Sequence, residues 1–219
     1  MTATERLDRA TRAYRLLDHS FYKAWADGTL TREDLAFYSK QYWRQVEAFP
    51  GYLDSLAERL PEGKARKIVL ENLADERDDD HPGLWLDFAE ALGIGREEVR
   101  ASEPENETEQ CVDAFRDATR TLDPAFALGM LYGYESQSPD VAATKVTGLR
   151  DFYGIDGPGV AYFELHGELD VEHARELGEA IEEVATDEDI MARAEAGARA
   201  GAHAIWSLLD GVARVRGIG

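Results

Sequence analysis

With 219 residues and 44% hydrophobic content, the chain has enough apolar mass for one large folded unit, and residues 1–219 are read as a single domain. No stretch approaches the roughly 18 to 20 apolar residues needed to cross a bilayer, and Met1-Thr-Ala-Thr-Glu-Arg6 lacks a basic region leading into an apolar run, so a cytoplasmic protein is expected. The formal charge of −20, with 44 acids against 19 arginines and 5 lysines, disfavours nucleic acid and membranes as partners and points to a halophilic source.

In chain order the sequence reads as helix after helix. Leu7 to Trp25 carries apolar residues at helical spacing and stops near Gly28. Thr31 reads as an N-cap, with Glu33 and Asp34 in the first turn of a helix that Pro50 bends or breaks; Tyr52 to Leu60 is a further helix. Lys64 to about Arg77 follows, then the acidic cluster Asp78, Asp79 and Asp80, then His81-Pro82 and a helix from Gly83 to Leu92. Asn106 to Leu122, Pro124 to about Ser136, and Val141 to Tyr153 are the next helices, and Gly154 to Gly159 is the clearest loop. Val160 to His166 precedes a break expected at Gly167, after which come Asp170 to Ala185 and a long helix from Asp187 to Arg214. No segment alternates with period 2 between turn signals, so the expected fold is all-α, a compact bundle of roughly eight to ten helices.

The strongest chemical signal is HxxxDxxH at His166, Asp170 and His173. At about 100° per residue, these positions share one narrow arc of a helix, where three good ligands for a first-row metal converge. Taken alone, the pattern also suits two surface histidines on an acidic helix. Glu135 lies among Phe126, Leu128, Met130, Leu131, Tyr132 and Tyr134, so its carboxylate needs a partner, either a metal or an arginine. Glu76 and His81 flank a helix-to-loop transition, and Asp78-x-x-His81 echoes Asp170-x-x-His173. Together the three segments offer enough ligands for two metal ions. Lone Cys111 allows no intrachain disulfide and reads as a small buried side chain, while His19 and His203 read as packed or surface residues.

At these residues the chain resembles the haem-oxygenase-like superfamily, and more narrowly the CADD-like group related to TenA and PqqC. The resemblance rests on Gln41-Tyr-Trp-Arg-Gln-Val46, Asn72-Leu-Ala-Asp-Glu76, His81-Pro-Gly-Leu-Trp85, Tyr134-Glu135 through Lys145, Gly148-Leu149, and Tyr162-Phe163 through His173. It implies a haem-oxygenase-like bundle without haem, binding two metal ions, iron and/or manganese, through Glu76, His81, Glu135, His166, Asp170 and His173, with dioxygen as co-substrate. It further implies p-aminobenzoate synthesis for folate, in which the protein's own tyrosine is converted and a lysine supplies nitrogen; Tyr22, Tyr134, Tyr162 and Lys145 match those roles. A lysine amine can act as a nucleophile where a guanidinium cannot, which sets Lys145 apart in an arginine-rich chain. The family pattern spaces its first glutamate and histidine seven positions apart, whereas Glu76 and His81 are five apart, a loop two residues shorter, which leaves Asp78 as an alternative in that half of the site.

The expected partners are small molecules and a reductant, with a homodimer left open. The competing readings are a TenA-like or PqqC-like enzyme of thiamin or quinone-cofactor metabolism, and a non-catalytic interaction or regulatory protein.

Overall fold

Short polar side chains set many of the helix starts in the computed structural model, which describes residues 2–219. Thr2, Thr31, Asp80, Asp123 and Asp187 each accept a backbone N–H from the helix that follows, and Thr31 and Asp34 cap each other reciprocally. Eleven helices result: α1 (Ala3–Thr11), α2 (Ser20–Ala26), α3 (Arg32–Arg59), α4 (Lys64–Asp78), α5 (His81–Ala91), α6 (Arg96–Arg100), α7 (Asn106–Thr121), α8 (Pro124–Glu135), α9 (Ser138–Tyr153), α10 (Pro158–Val184) and α11 (Glu188–Arg216). There is no strand among the described residues, so the all-α expectation holds.

Three local expectations differ from the structure. The helix expected from Leu7 to Trp25 is two helices, α1 and α2, joined by 3-10 turns at Arg12–Tyr14 and Leu16–Asp18. Tertiary and capping bonds override the periodicity here: Gln137 accepts the Leu16 N–H at 2.8 Å, and His19 Nδ1 accepts the Phe21 N–H at 3.0 Å to start α2. Pro50 does not end α3, which continues to Arg59 and absorbs the helix expected at Tyr52–Leu60. One main-chain bond is lost, but Phe49, Tyr52, Leu53 and Leu56 keep both sides of the proline anchored in the core. Gly167 does not break α10 either, and the short α6 lies beyond the expected set.

The arrangement follows from where the apolar surface lies. α8 is apolar nearly all round and is buried from Ala127 to Glu135, as a central helix must be. It packs most extensively on α11 and also contacts α7 and α10. α10 in turn lies against α4, α5, α8 and α9, so one long helix touches the elements that carry Glu76, His81, Tyr134, Glu135 and Lys145. No helix among the described residues is long and apolar enough to cross a membrane.

Candidate metal centre

One face of α10 carries His166, Asp170 and His173 inward, and all three are buried. The continuous helix keeps the spacing that a break at Gly167 would have destroyed. His166 meets Glu76 of α4 and His81 of α5; Asp170 and His173 meet Glu135 at the end of α8. Each trio presents three ligand-type atoms within 4.8 Å of one another, and all six residues are buried. The shortened loop is accommodated by a tight reversal at Asp79 and Asp80. Asp80 takes the left-handed conformation (φ 49°), which a short polar residue tolerates, and its carboxylate accepts the Gly83 N–H to cap α5. His81 therefore opens α5 pointing inward, with Nδ1 3.0 Å from Glu76 Oε1, while Asp78 is exposed at the end of α4.

The electrostatics of this cluster are unbalanced as it stands. Among the described residues, no arginine or lysine nitrogen lies within 4.0 Å of Glu76, Glu135 or Asp170. The arginine partner that was an alternative for Glu135 is absent; Asn72 Nδ2 donates to its Oε1 at 2.8 Å instead. Five buried ligand-type atoms make no hydrogen bond of good geometry: both ring nitrogens of His81, Nδ1 despite its approach to Glu76, with Glu135 Oε2, Asp170 Oδ2 and His173 Nδ1. Unsatisfied polar atoms at this density are costly unless something else occupies their lone pairs. Two divalent cations fit that requirement, since they would bring four positive charges to three carboxylates and use oxygen and imidazole donors suited to iron or manganese.

The metal-free protonation pattern carries the same message. Burial raises the Glu135 carboxyl well above the usual range, with Asp170 and Glu76 adding to the effect and His173 opposing it. Burial lowers His166, against the pull of Asp170 and Glu76. Burial also works against a charged His173, but the facing carboxylate of Asp170, with those of Glu135 and Asp75, outweighs that and raises it to about 10.

Beside the trios lies an aromatic enclosure. Lys145 on α9 is 4% exposed; its ammonium donates to the Tyr38 hydroxyl at 2.7 Å and lies 5.3 Å from the Tyr22 ring centre. Burial pushes this amine down to about 7. Tyr134 and Tyr162 line, with Lys145 and His166, a narrow cavity of about 20 Å³, room for little more than one water. Tyr162 stacks on His166 with ring centres 4.0 Å apart, so it bridges the enclosure and the first trio. All the expected site residues are thus in one region, with Tyr22 reaching it through Lys145 and Tyr38.

Four neighbours carry no role in the sequence reading. Tyr38 and Tyr42 lie one turn apart on α3 and both face Lys145, with ring centres 5.1 Å from its Nζ. Asn72 holds Glu135, and Asp75 accepts from His173 Nε2 at 3.1 Å. The tyrosines are indistinguishable from core residues by periodicity. Asn72 and Asp75 stand in the run that ends in Glu76, and only tertiary packing gives them partners, Glu135 of α8 for Asn72 and His173 of α10 for Asp75.

Comparison with known proteins places the chain in a family. The family described as iron-containing redox enzymes of haem-oxygenase type matches residues 36–206. A 4-aminobenzoate synthase of Chlamydia muridarum is 38% identical over 86% of this chain and 81% of its own length. A second, from Nitrosomonas europaea, is 36% identical over 96% of this chain and 91% of its own. Among solved structures, a TenA homologue from Pseudomonas syringae pv. tomato superposes with a TM-score of 0.84 at 15% identity, covering 97% of this chain and 91% of that one, which shows the shared fold.

Proposed function

The chain belongs to the haem-oxygenase-like family of iron-containing redox enzymes, and on that premise we propose that it is a two-metal, oxygen-activating oxidase that makes 4-aminobenzoate. It is a metal-dependent oxidoreductase; the product, the metals and the residue roles are our reading. The observation that carries it is the buried set of three carboxylates and three histidines with no arginine or lysine partner among the described residues, placed against an enclosed lysine and its tyrosines.

Glu76, His81 and His166 would hold one ion, and Glu135, Asp170 and His173 the other. Bound iron, or iron with manganese, supplies the ability to bind and reduce dioxygen, with electrons from an external reductant. The remaining chemistry falls to the chain. The cavity is too small for an external aromatic substrate, which supports a tyrosine of the protein itself as the source of the ring. Tyr22 is our candidate from the family resemblance: it is buried with its ring centre 5.3 Å from the Lys145 amine, in the same enclosure as Tyr38 and Tyr42, and the lowered pKa leaves that lysine partly as free amine near neutral pH, able to donate nitrogen. Tyr134 and Tyr162 narrow the space between His166 and the lysine to room for about one water. The acidic, lysine-poor surface supports work in concentrated salt within the cytoplasm, with no nucleic-acid or membrane partner.

The alternatives are not favoured. A metal-free, PqqC-like mechanism needs the carboxylates paired with arginines, and a TenA-like hydrolase needs a cysteine on α8, whereas Cys111 is buried on α7 beside Gln45.

The test is to load purified protein with iron(II), or iron(II) and manganese(II), and supply reductant and oxygen. If the chain was grown on ring-labelled tyrosine, labelled 4-aminobenzoate should appear and the parent mass should fall. Variants His166→Ala and Asp170→Asn should lose metal and product together. Trace metal only, with thermal stability indifferent to chelator, would refute the reading.

A further inference from the structure

A histidine can bind a metal through one ring nitrogen only if the proton of the neutral ring sits on the other. In His166 that proton is fixed by the chain's own backbone: Nδ1 lies 2.7 Å from the Tyr162 carbonyl one turn earlier on α10, which leaves Nε2 facing Glu76 at 3.9 Å. His173 is turned the other way. Its Nδ1 faces Asp170 at 3.4 Å and Glu135 at 3.7 Å and has no hydrogen-bond partner, while Nε2 lies 3.1 Å from Asp75 Oδ2. No backbone group serves that nitrogen, so the inward lone pair of His173 depends on one carboxylate.

We propose that Asp75 is a positioning residue for His173 and that it makes the Glu135–Asp170–His173 half of the centre depend on a solvent-exposed carboxylate, while the other half depends on no such group. The proposal rests on the two-metal reading. Asp75 accepts the Nε2 proton, holds the ring in the tautomer whose Nδ1 can bind metal, and raises the basicity of that nitrogen. Its side chain is 47% exposed, in contrast to the buried ligands. It makes no other side-chain hydrogen bond and has no lysine or arginine within 4.0 Å, so His173 is its one polar partner among the described residues. The same helix completes the support: Asn72, one turn before Glu76, holds Glu135 through Oε1, so α4 gives a ligand to one half and two orienting groups to the other.

The test uses wild type, Asp75→Ala and Asp75→Asn, stripped and reloaded with manganese(II) alone. Affinities are read by competition with a fluorescent chelator, and occupancy of each half by anomalous scattering. Wild type should hold two ions. The alanine variant should keep the ion at Glu76, His81 and His166 and bind the second about 10- to 100-fold more weakly. The asparagine variant, which keeps a neutral acceptor, should fall between them, and all three metal-free proteins should give the same far-ultraviolet circular dichroism, with the alanine variant melting somewhat lower for want of the Asp75–His173 bond. Two equally tight ions in wild type and alanine variant would overturn the role of Asp75 while leaving the two-metal reading intact. Equal weakening of both halves would overturn the asymmetry. A wild type that binds no ion would remove the reading itself, and this inference with it.

Discussion

The buried Lys145 ammonium meets one hydroxyl and a ring of aromatic faces, with no carboxylate within 4.0 Å among the described residues. Cation–π contacts offset only part of the desolvation cost, and burial lowers the amine from its ordinary 10.5 to about 7. Between those two values the unfolded chain holds a proton that the folded chain lacks, so this residue makes stability rise with pH across that window. Below about pH 7 the fold bears the full cost of the buried charge. Lys145→Met should therefore stabilise the protein by on the order of 2–4 kcal/mol near pH 6 and flatten the rise toward pH 10. It should also abolish 4-aminobenzoate formation without loss of metal. Melting curves across that pH range, taken as differences from wild type, decide it; parallel curves would mean the ammonium is not paying a desolvation cost. At this scale the ligand types were legible, because a carboxylate in an apolar run and histidines at helical spacing both demand partners. Tyr38, Tyr42, Asn72 and Asp75 were not, because their roles are defined by what other helices bring to them.

Close approach at the α8–α11 contact is what fixes the depth of Glu135. A Cβ on Gly133, two residues earlier, would lie 2.1 Å from the Ala198 carbonyl oxygen, so the two backbones are nearer than any side chain allows. Gly133→Ala should cost about 1–3 kcal/mol or more, with Tm falling by about 2–4 °C per kcal/mol in a chain of this size, and should weaken metal retention. Gly167→Ala should act in the opposite direction. A Cβ there would meet only Ala142 Cβ at 3.7 Å, and removing a mid-helix glycine contributes roughly 0.5–1 kcal/mol. Calorimetric melts compare the pair, and equal shifts would disprove the distinction. The two glycines look alike in sequence. Helix-breaking tendency at Gly167 and Pro50 is a local preference of a few kcal/mol at most, and the buried faces of α10 and α3 exceed it.

Over the whole molecule, most of the −20 charge lies outside the buried trios, on solvent-facing acids. Such a surface repels itself at low ionic strength, with a screening length near 30 Å at 0.01 M against about 3 Å at 1 M. Raising sodium chloride from about 0.05 M to about 1 M should raise Tm, despite the weakening of exposed ion pairs such as Arg150–Glu164 and Arg175–Glu172. A Tm that falls throughout the titration would show that the ion pairs outweigh net repulsion.

Helix content, most helix starts, the ligand types and the family resemblance all follow from the order of residues, because capping, periodicity and the desolvation of a lone carboxylate are local or one-body effects. The left-handed turn at Asp80 is what brings buried His81 to within 3.0 Å of Glu76 across a shortened loop and leaves Asp78 exposed. The convergence of α4, α5, α8 and α10, the enclosure of Lys145, and the reach of Asp75 to His173 were decided only by tertiary packing, because each joins groups far apart in the chain whose energies depend on burial and distance.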